Sequence, residues 1–280
     1  MDSLVSTQWL ADHLGNERLV VLDATRHLPA ADRDALAEFR TGHIPGARFL
    51  DLAALAQPNS PVGATLPGPD HAAALLAKLG LERDDRIVIY DDSDVKTSSR
   101  AWFILGGYGF GSLAILDGGL AKWKAEGRAL ESGDAPAKPT ELKAQTFHEA
   151  VRRKEDMLAN LDRQAEQVVD ARDAGRFTGE TVDTVHDLPG GHIPGARNVF
   201  FRDLFAEDGT FLSPADLRRL FEDACIDLSQ PIVTTCGSGV TASVLLFALH
   251  LIDAPQTALY DGSWSEWGAD PATPKATGAA

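Results

Sequence analysis

The side chain best suited to nucleophilic chemistry in this sequence is Cys236, which follows a short β-branched run and precedes a glycine-rich loop. Residues 231–249 read PIVTTCGSGVTASVLLFAL, a pattern that predicts a strand, a tight loop and a helix. Glycines let successive backbone N–H groups turn inward, and the helix start adds unpaired amides and partial positive charge. A thiolate held in such a cradle is stabilised and strongly nucleophilic. The residues predicted to form the cradle are Gly237, Ser238, Gly239, Val240 and Thr241.

Cysteine phosphatases also place their nucleophile in a loop between a strand and a helix. Their chemistry needs an arginine at the sixth residue after the cysteine, because a guanidinium clamps phosphate through two hydrogen bonds. Here the sixth residue is Ala242, which argues against a phosphatase. The second cysteine, Cys225, falls in the segment LRRLFEDAC, and we expect it to be a structural residue packed within a helix.

The bulk composition excludes several classes of partner. The chain has 280 residues, 44% of them hydrophobic, which predicts a globular protein of one large domain or two ordinary ones. Its formal net charge of -15 argues against nucleic acid and anionic membranes. Two cysteines favour a reducing compartment, and the first residues lack the pattern of a signal peptide. The longest apolar run is too short to cross a bilayer, so we expect a soluble, cytoplasmic protein.

An internal repeat predicts two copies of one domain. The heptapeptide GHIPGAR occurs at residues 42–48 and again at residues 191–197. Three further pairs of segments keep the same order in both halves: VVLDATR with VVDAR, RIVIYDD with PIVTTCG, and DGGLAKW with DGSWSEW. A nearly constant spacing over four landmarks is typical of a duplicated domain rather than of a short-period solenoid.

Each half is predicted to have an α/β fold, an open and mainly parallel sheet flanked by helices. The predicted strands are short, β-branched and nearly continuous in hydrophobicity, as parallel strands buried on both faces require. We predict a first domain over residues 1–130, a linker over 131–150 and a second domain over 151–280, whose tail PATPKATGAA is expected to be disordered. Ligands bind beyond the carboxyl ends of such strands, which is where Cys236 falls.

The first domain is predicted to be catalytically inert. The position that corresponds to Cys236 holds Asp91, in a loop that is longer by one residue. A carboxylate cannot replace a thiolate nucleophile, and its charge repels anions. The acidic run around Asp91 lacks the full spacing of a calcium loop, so we expect a solvated turn there.

With the loop CGSGVT, the paired GHIPGA segments and the DGG/DGS-x-x-x-W segments in view, the chain resembles the two-domain rhodanese family over nearly its whole length. Within that family it is most similar to the 3-mercaptopyruvate sulfurtransferases, which carry CG[ST]GVT, whereas thiosulfate sulfurtransferases carry CRKGVT. Thiosulfate is a dianion and profits from two basic side chains in the loop. Mercaptopyruvate is a monoanion, for which a small and neutral loop suffices.

The resemblance implies two tandem rhodanese-like domains and a double-displacement reaction. Cys236 attacks the sulfur of mercaptopyruvate, pyruvate leaves as its enolate, and a cysteine persulfide remains in the loop. A thiol acceptor such as thioredoxin or a low-molecular-weight thiol, or else cyanide, then takes the outer sulfur. No metal or organic cofactor is implied, because the sulfur is carried covalently.

The family's arginine for the substrate carboxylate corresponds to Arg176, in ARDAGRFTGE. Mercaptopyruvate enzymes often carry a second arginine nine residues further on, and here that position is Val185. This departure affects carboxylate binding and donor preference. The next residue, His186, is a partial substitute that is mostly neutral at neutral pH.

A proton relay proposed in the family would comprise Ser238, His43 and either Asp32 or Asp34 here. A histidine that bridges a serine and a carboxylate is sound general-base chemistry. The alternative is that His43 only satisfies a local hydrogen bond, the role that we assign to its repeat counterpart His192.

Two buried ion pairs are predicted to fix the GHIPGAR turns, Asp23 with Arg48 and Asp170 with Arg197. Two other functions stay open beside the mercaptopyruvate enzyme. One is a thiosulfate sulfurtransferase, which the neutral loop disfavours. The other is a non-catalytic module that carries a persulfide from one partner protein to another.

Overall fold

The computed structural model describes residues 1–279, which divide into two compact units. The first unit consists of Met1–Asn59, Leu66–Glu149 and Glu207–Phe211. The second consists of Ser60–Thr65, Ala150–Ala206 and Leu212–Ala280. Each unit has its own parallel five-stranded sheet flanked by helices, so the predicted α/β fold and its duplication are confirmed.

The first unit contains strands β1–β5 in the spatial order β1-β5-β4-β2-β3, and all the neighbours are parallel. Its elements are β1 (Leu4–Val5), α1 (Thr7–His13), β2 (Leu19–Asp23), α2 (Ala35–Thr41), β3 (Arg48–Phe49), α3 (Leu52–Leu55), α4 (Pro69–Lys78), β4 (Arg86–Tyr90), α5 (Ser98–Gly107), β5 (Ser112–Leu116) and α6 (Gly119–Ala125). A short 3-10 helix, Pro29–Ala31, precedes α2.

The second unit repeats this arrangement with strands in the order β6-β10-β9-β7-β8, again parallel throughout. Its elements are β6 (Val151–Arg152), α7 (Lys154–Arg163), β7 (Gln167–Asp170), α8 (Ala174–Thr178), β8 (Arg197–Asn198), α9 (Pro214–Asp223), β9 (Ile232–Thr235), α10 (Val240–Leu251), β10 (Thr257–Tyr260) and α11 (Ser263–Trp267). A 3-10 helix, Phe201–Leu204, follows β8.

Local sequence explains the main elements of the second unit. The β9 strand is buried over its whole length, as its run of β-branched residues requires. Helix α9 begins with Ser213 as its N-cap, which accepts a hydrogen bond from Asp216 N, and with Pro214 in its first turn. Helix α10 is apolar on most of its surface and packs on β9 and β10, so its side chains are buried against the sheet.

Two segments that the sequence marks as irregular are packed. The predicted linker contacts the first unit, because Phe147 packs edge-on against Phe103 and Tyr108. The prediction of a disordered tail is wrong for residues 271–279: Trp267 Nε1 donates to Pro274 O at 2.8 Å, and Ala276 forms a backbone bridge with the His192 turn. Ala280 lies outside the described residues.

Across residues 1–279, every helix is too short or too polar to cross a membrane.

Candidate active site

Cys236 lies at the carboxyl end of β9, in the four-residue loop before α10, as the sequence predicts. Its side chain is almost fully buried. Gly239 caps α10 with a φ of 78°, a left-handed conformation that glycine adopts without strain. The chain therefore turns sharply enough to hold the sulfur at the edge of the sheet.

The loop after Cys236 presents its carbonyls to α11. Trp264 N donates to Cys236 O at 2.9 Å, and Ser265 N donates to Gly237 O at 2.8 Å. No residue among 1–279 accepts a hydrogen bond from the N–H of Gly237 or Ser238. These two amides are therefore available to an anion, as the predicted cradle requires. Ser238 and Thr241 are half-buried in the loop and in the first turn of α10.

Ser263 is a contact of the nucleophile that sequence reasoning missed. Its hydroxyl oxygen accepts a hydrogen bond from Cys236 N at 3.2 Å and lies 4.0 Å from Cys236 Sγ. The hydroxyl also donates to Tyr260 O at 2.8 Å. Ser263 has a φ of 49°, which is strained for a residue other than glycine, and it is fully buried. The DGS landmark contained this serine, but its backbone conformation cannot be read from sequence.

Arg172 supplies a buried positive charge near the sulfur. Its Nε lies 3.1 Å from both carboxylate oxygens of Asp170, and its guanidinium lies 4.5 Å from the ring centre of Trp264. Burial is the largest single influence and lowers the pKa of Arg172, but the charge and hydrogen bond of Asp170 together with the charge of Asp183 outweigh it, so the net direction is upward. Cys236 adds to this rise, which places the guanidinium within electrostatic reach of the sulfur.

The predicted pairing of Asp170 with Arg197 is therefore wrong, because Asp170 binds Arg172 two residues along the same strand end. The pairing of Asp23 with Arg48 is wrong as well. Asp23 accepts a hydrogen bond from Thr25 N at 2.9 Å, and Arg48 Nη1 donates to carbonyl oxygens at the end of α4. Sequence order placed the right acids near the turns, but it could not tell which basic side chain reaches them.

Arg176, the predicted carboxylate-binding arginine, lies in α8 with its side chain largely buried. Its Nε lies 2.5 Å from Asp173 Oδ2, and its Nη1 lies 3.5 Å from Asp183 Oδ1. Arg172 Nη1 approaches the other oxygen of Asp183 at 3.8 Å. The two arginines of this region thus share one acid.

Asp183 is fully buried and joins these arginines to His186. Its Oδ1 lies 3.0 Å from His186 Nδ1. Burial raises the pKa of Asp183, but the hydrogen bond from His186 and the arginine charges outweigh it, so the pKa is lowered. Asp183 is therefore an ionised acceptor at neutral pH, and no sequence motif had marked it.

His186 lies directly against the cysteine loop. A Cβ added to Gly237 would lie 2.0 Å from His186 Cε1, so a residue with a side chain at this position would displace the ring. Val185, at the position of the family's second arginine, is substantially exposed and contributes no charge. The structure therefore brings a histidine to the loop and leaves an aliphatic residue where an arginine was expected.

The residues predicted as a proton relay lie in the first unit, except for Ser238. His43 is buried and stacked on Phe39, and its Nδ1 lies 2.7 Å from Phe39 O. Its Nε2 is buried with no hydrogen-bond partner among residues 1–279. Asp34 is the N-cap of α2, and Asp32 is exposed after the 3-10 helix. Neither aspartate bonds His43, whose orienting partner is a carbonyl, so the relay stays a prediction.

His192 has the structural role that the sequence predicts. Its ring stacks on Phe177 at 3.9 Å, and its Nδ1 lies 2.8 Å from Phe177 O. His43 repeats this geometry on Phe39 in the first unit. The GHIPGA histidine therefore makes the same stacking and carbonyl contacts in both copies.

In the first unit Asp91 occupies the end of β4 and fills its own loop. Its two carboxylate oxygens accept hydrogen bonds from Ser93 N and Ser98 N, each at 2.8 Å. The amides that would otherwise face a bound anion are thus taken by the protein's own carboxylate.

The expectation for Cys225 is wrong. The residue follows the end of α9, has a φ of 59° and is exposed rather than packed within the helix. Helix α9 ends at Asp223, two residues before Cys225, because the chain takes a left-handed turn there.

Comparison with known proteins agrees with this geometry. A model of the rhodanese-like domain matches residues 6–126 and 153–270. The chain is 40% identical to the 3-mercaptopyruvate sulfurtransferase of Rattus norvegicus over 271 residues, 95% of this chain and 91% of the relative. It is 36% identical to the thiosulfate sulfurtransferase of Cricetulus griseus over 272 residues, 95% of this chain and 91% of the relative.

The fold is similar to the crystal structure of SseA, a 3-mercaptopyruvate sulfotransferase from Escherichia coli. The TM-score is 0.86 at 36% sequence identity, over 94% of this chain and 99% of the other.

Proposed function

The chain belongs to the rhodanese family, and on that premise we propose that it moves sulfane sulfur from 3-mercaptopyruvate to a thiol or to cyanide, through a persulfide on Cys236. The observation that carries this proposal is a buried cysteine in a neutral loop whose amides at Gly237 and Ser238 are available to an anion. Relatives named 3-mercaptopyruvate sulfurtransferase are 38–40% identical to the chain.

The first half-reaction forms an S–S bond and breaks a C–S bond. The Cys236 thiolate attacks the donor sulfur, and the electron pair of the C–S bond leaves as pyruvate enolate. The enolate takes a proton to give pyruvate, and the persulfide loses one, so charge and atoms balance. The loop amides and the nearby guanidinium of Arg172 stabilise the negative sulfur species.

The second half-reaction returns the enzyme to its starting state. An acceptor thiolate attacks the outer sulfur, and the Cys236 thiolate leaves. The acceptors that we propose are thioredoxin or low-molecular-weight thiols, with cyanide giving thiocyanate. No resident cofactor takes part in either half-reaction, since the sulfur stays covalently bound.

Among the other site residues, Arg176 is proposed to bind the substrate carboxylate, and the cradle from Gly237 to Thr241 to bind the sulfur species. Ser238 and His43 are proposed to move protons, a role that the unbonded Nε2 of His43 permits. The carboxylate of such a relay stays assigned to Asp32 or Asp34 only by resemblance.

We propose that residues 1–130 form a catalytically inert rhodanese-like domain, 131–150 a linker, and 151–280 the active domain. The loop of Asp91 supports inertness of the first domain, because it offers no cysteine and its carboxylate already accepts hydrogen bonds from Ser93 N and Ser98 N. The cytoplasm is the compartment that we propose, since both cysteines are free thiols.

Thiosulfate is the second candidate donor. The absence of an arginine at Val185 favours it, because mercaptopyruvate then loses one carboxylate contact. The decisive experiment measures kcat/KM for both donors with a common acceptor. Release of pyruvate measures the reaction with mercaptopyruvate, and formation of thiocyanate measures the reaction with thiosulfate. We expect mercaptopyruvate to be preferred by at least about tenfold, equivalent to one charge-assisted hydrogen bond. A preference for thiosulfate would overturn the donor assignment, and a persulfide that forms only from a partner protein would favour a carrier module.

A further inference from the structure

The second unit contains a cavity that the proposed reaction does not use. Its volume is about 310 Å³, and residues of α7, of β7 and of the second GHIPGAR turn line it. The apolar part of the wall includes Met157, Leu161, Val168 and Ile193. Ligand sites are typically cavities of about 300–1,000 Å³ with apolar walls and a few polar groups. The cavity therefore has the size and the wall of a site for a small ligand.

Most polar side chains of this wall already have partners. Arg152 Nε lies 3.0 and 2.9 Å from the two carboxylate oxygens of Glu166, so the negative charge of Glu166 is paired. Asn160 donates to Glu166 O at 2.8 Å and accepts a hydrogen bond from Glu166 N at 3.0 Å. Gln167 exchanges two hydrogen bonds of 2.8 Å with the backbone of Asp227. These groups are therefore occupied and do not determine what the cavity binds.

Arg197 brings a positive charge to the wall, and its guanidinium has no hydrogen-bond or ion-pair partner among residues 1–279. The residue is half-buried. Its counterpart in the first GHIPGAR segment is Arg48, whose Nη1 donates to Leu79 O at 2.8 Å and to Gly80 O at 3.0 Å. The same residue of the repeated motif is thus satisfied by carbonyls in one unit and left without a partner in the other. A guanidinium in this state favours an anion, because its planar N–H groups match a carboxylate.

In the first unit, the chain itself covers the corresponding place. Gly80 and Cys225 are equivalent, because each lies two residues after the end of a helix, α4 or α9, and each has a positive φ. A Cβ on Gly80 would lie 2.6 Å from Lys138 O, so the predicted linker packs against that turn. Cys225 is exposed and lines the cavity instead. The second unit is therefore open at a place where the first unit packs against its own backbone.

We propose that this cavity is a second ligand site, which binds a small aliphatic carboxylic acid with its carboxylate on Arg197 and its apolar chain against Met157, Leu161 and Val168. Residues that precede β7, β8 and β9 line the cavity, so it lies at the amino ends of the strands. Cys236 lies at the opposite, carboxyl end of β9. The site is thus separate from the proposed sulfur transfer and stands whether or not that function is correct.

The test measures binding of octanoate at millimolar concentration by titration calorimetry, with octan-1-ol as the probe that has the same chain but no charge. Octanoate should bind once per chain and about tenfold more tightly than the alcohol, because it gains a charge-assisted hydrogen bond. It should also slow alkylation of Cys225 by iodoacetamide, measured on the Cys225 peptide by mass spectrometry, since this thiol lines the cavity. Octanoate that does not bind, binds no more tightly than the alcohol or leaves the alkylation rate unchanged would overturn the proposal.

Three variants assign the binding to this cavity. Arg197→Gln should weaken octanoate about tenfold and leave octan-1-ol unchanged, because only the charged contact is lost. Arg197→Lys keeps the charge and should retain part of the preference for octanoate. The matched control is Arg48→Gln, at the same position of the first GHIPGAR segment, which should bind both probes as the wild type does. An Arg197→Gln protein with the octanoate affinity of the wild type, or an equal loss in Arg48→Gln, would contradict the assignment.

Discussion

At the scale of single residues, the nucleophile depends on contacts made by its neighbours rather than on its own chemistry. Ser263 accepts the hydrogen bond of Cys236 N, and Gly237 allows His186 to lie against the loop. Ser263 holds a strained backbone, and a Cβ at Gly237 would collide with the His186 ring. Both neighbours therefore limit which side chains the loop around the sulfur accepts.

Gly237→Ala should lower kcat/KM for mercaptopyruvate by about tenfold and stability by about 1–3 kcal/mol, because the new Cβ displaces His186. Steady-state kinetics and thermal unfolding measure both effects. Gly111→Ala is the matched control, since nothing lies within 4 Å of its Cβ and its φ is not left-handed. Unchanged kinetics in Gly237→Ala would contradict the placement of His186.

Ser263→Ala removes the acceptor of Cys236 N and the donor to Tyr260 O. Leaving these buried groups unpaired should cost about 1–3 kcal/mol of unfolding free energy and slow persulfide formation. Ser263→Gly relieves the strained φ but also lacks the hydroxyl, so it should recover part of the stability and none of the rate. Recovery of the rate in Ser263→Gly would show that backbone strain, not the hydroxyl, limits the reaction.

At the scale of elements, the segment between α8 and β8 is anchored to the site through one carboxylate. Asp183 contacts Arg172, which follows β7, Arg176 in α8 and His186 in its own loop. Removing a buried carboxylate that has several cationic partners is costly, because the positive charges of those partners stay buried without a counterion. The segment is therefore tied to the rest of the unit through the three partners of Asp183.

Asp183→Asn should lower the unfolding free energy by about 3 kcal/mol at neutral pH. The pKa of Asp183 is lowered in the folded protein, so its stabilisation is complete above the unfolded value of about 3.9 and is lost as pH falls through the folded value. The wild type and the variant should therefore converge below about pH 4 in urea unfolding. Asp187→Asn, on the exposed part of the loop, serves as the control. A difference that stays constant into acid would contradict the ionised state of Asp183.

At the scale of the whole molecule, the two copies share a fold but differ at the end of the central strand, where the first copy holds Asp91 and the second holds Cys236. Asp23 accepts Thr25 N at 2.9 Å, and Asp170 accepts Arg172 N at the same distance. The second copy thus carries a guanidinium where the first carries a hydroxyl. In the first copy, burial raises the pKa of Asp23, and hydrogen bonds from Thr25 offset only part of that rise.

A cysteine alone should not restore activity to the first copy. In Asp91→Cys combined with Cys236→Ser, mercaptopyruvate should add no sulfur, because the first copy has a longer loop and no counterpart of Arg172. Mass spectrometry after donor exposure measures this directly, with Cys236→Ser alone as the baseline. A sulfur gained on the new cysteine would show that loop shape and the buried cation are dispensable.

Sequence reasoning predicted the duplication, the three central strands of each sheet and the position of Cys236, because buried β-branched runs and a repeated heptapeptide are strong local signals. It missed the two-residue edge strands, which carry too few residues for any periodicity. The VVDAR landmark contains Arg172, but the sequence analysis paired Asp170 with Arg197 instead. The direction of a side chain at a strand end depends on tertiary packing, which the sequence does not show. Asp183 sits in a polar loop, and its burial is a property of the folded unit alone.

The central claim is that Cys236 carries the transferred sulfur. The most direct test is an intact-mass spectrum after brief exposure to 3-mercaptopyruvate, with Cys236→Ser as the inactive variant and Cys225→Ser as the matched control. The account predicts a gain of one sulfur atom in the wild type and in Cys225→Ser, removed by a thiol acceptor, and no gain in Cys236→Ser. A sulfur that persists in Cys236→Ser, or one lost only in Cys225→Ser, would contradict it.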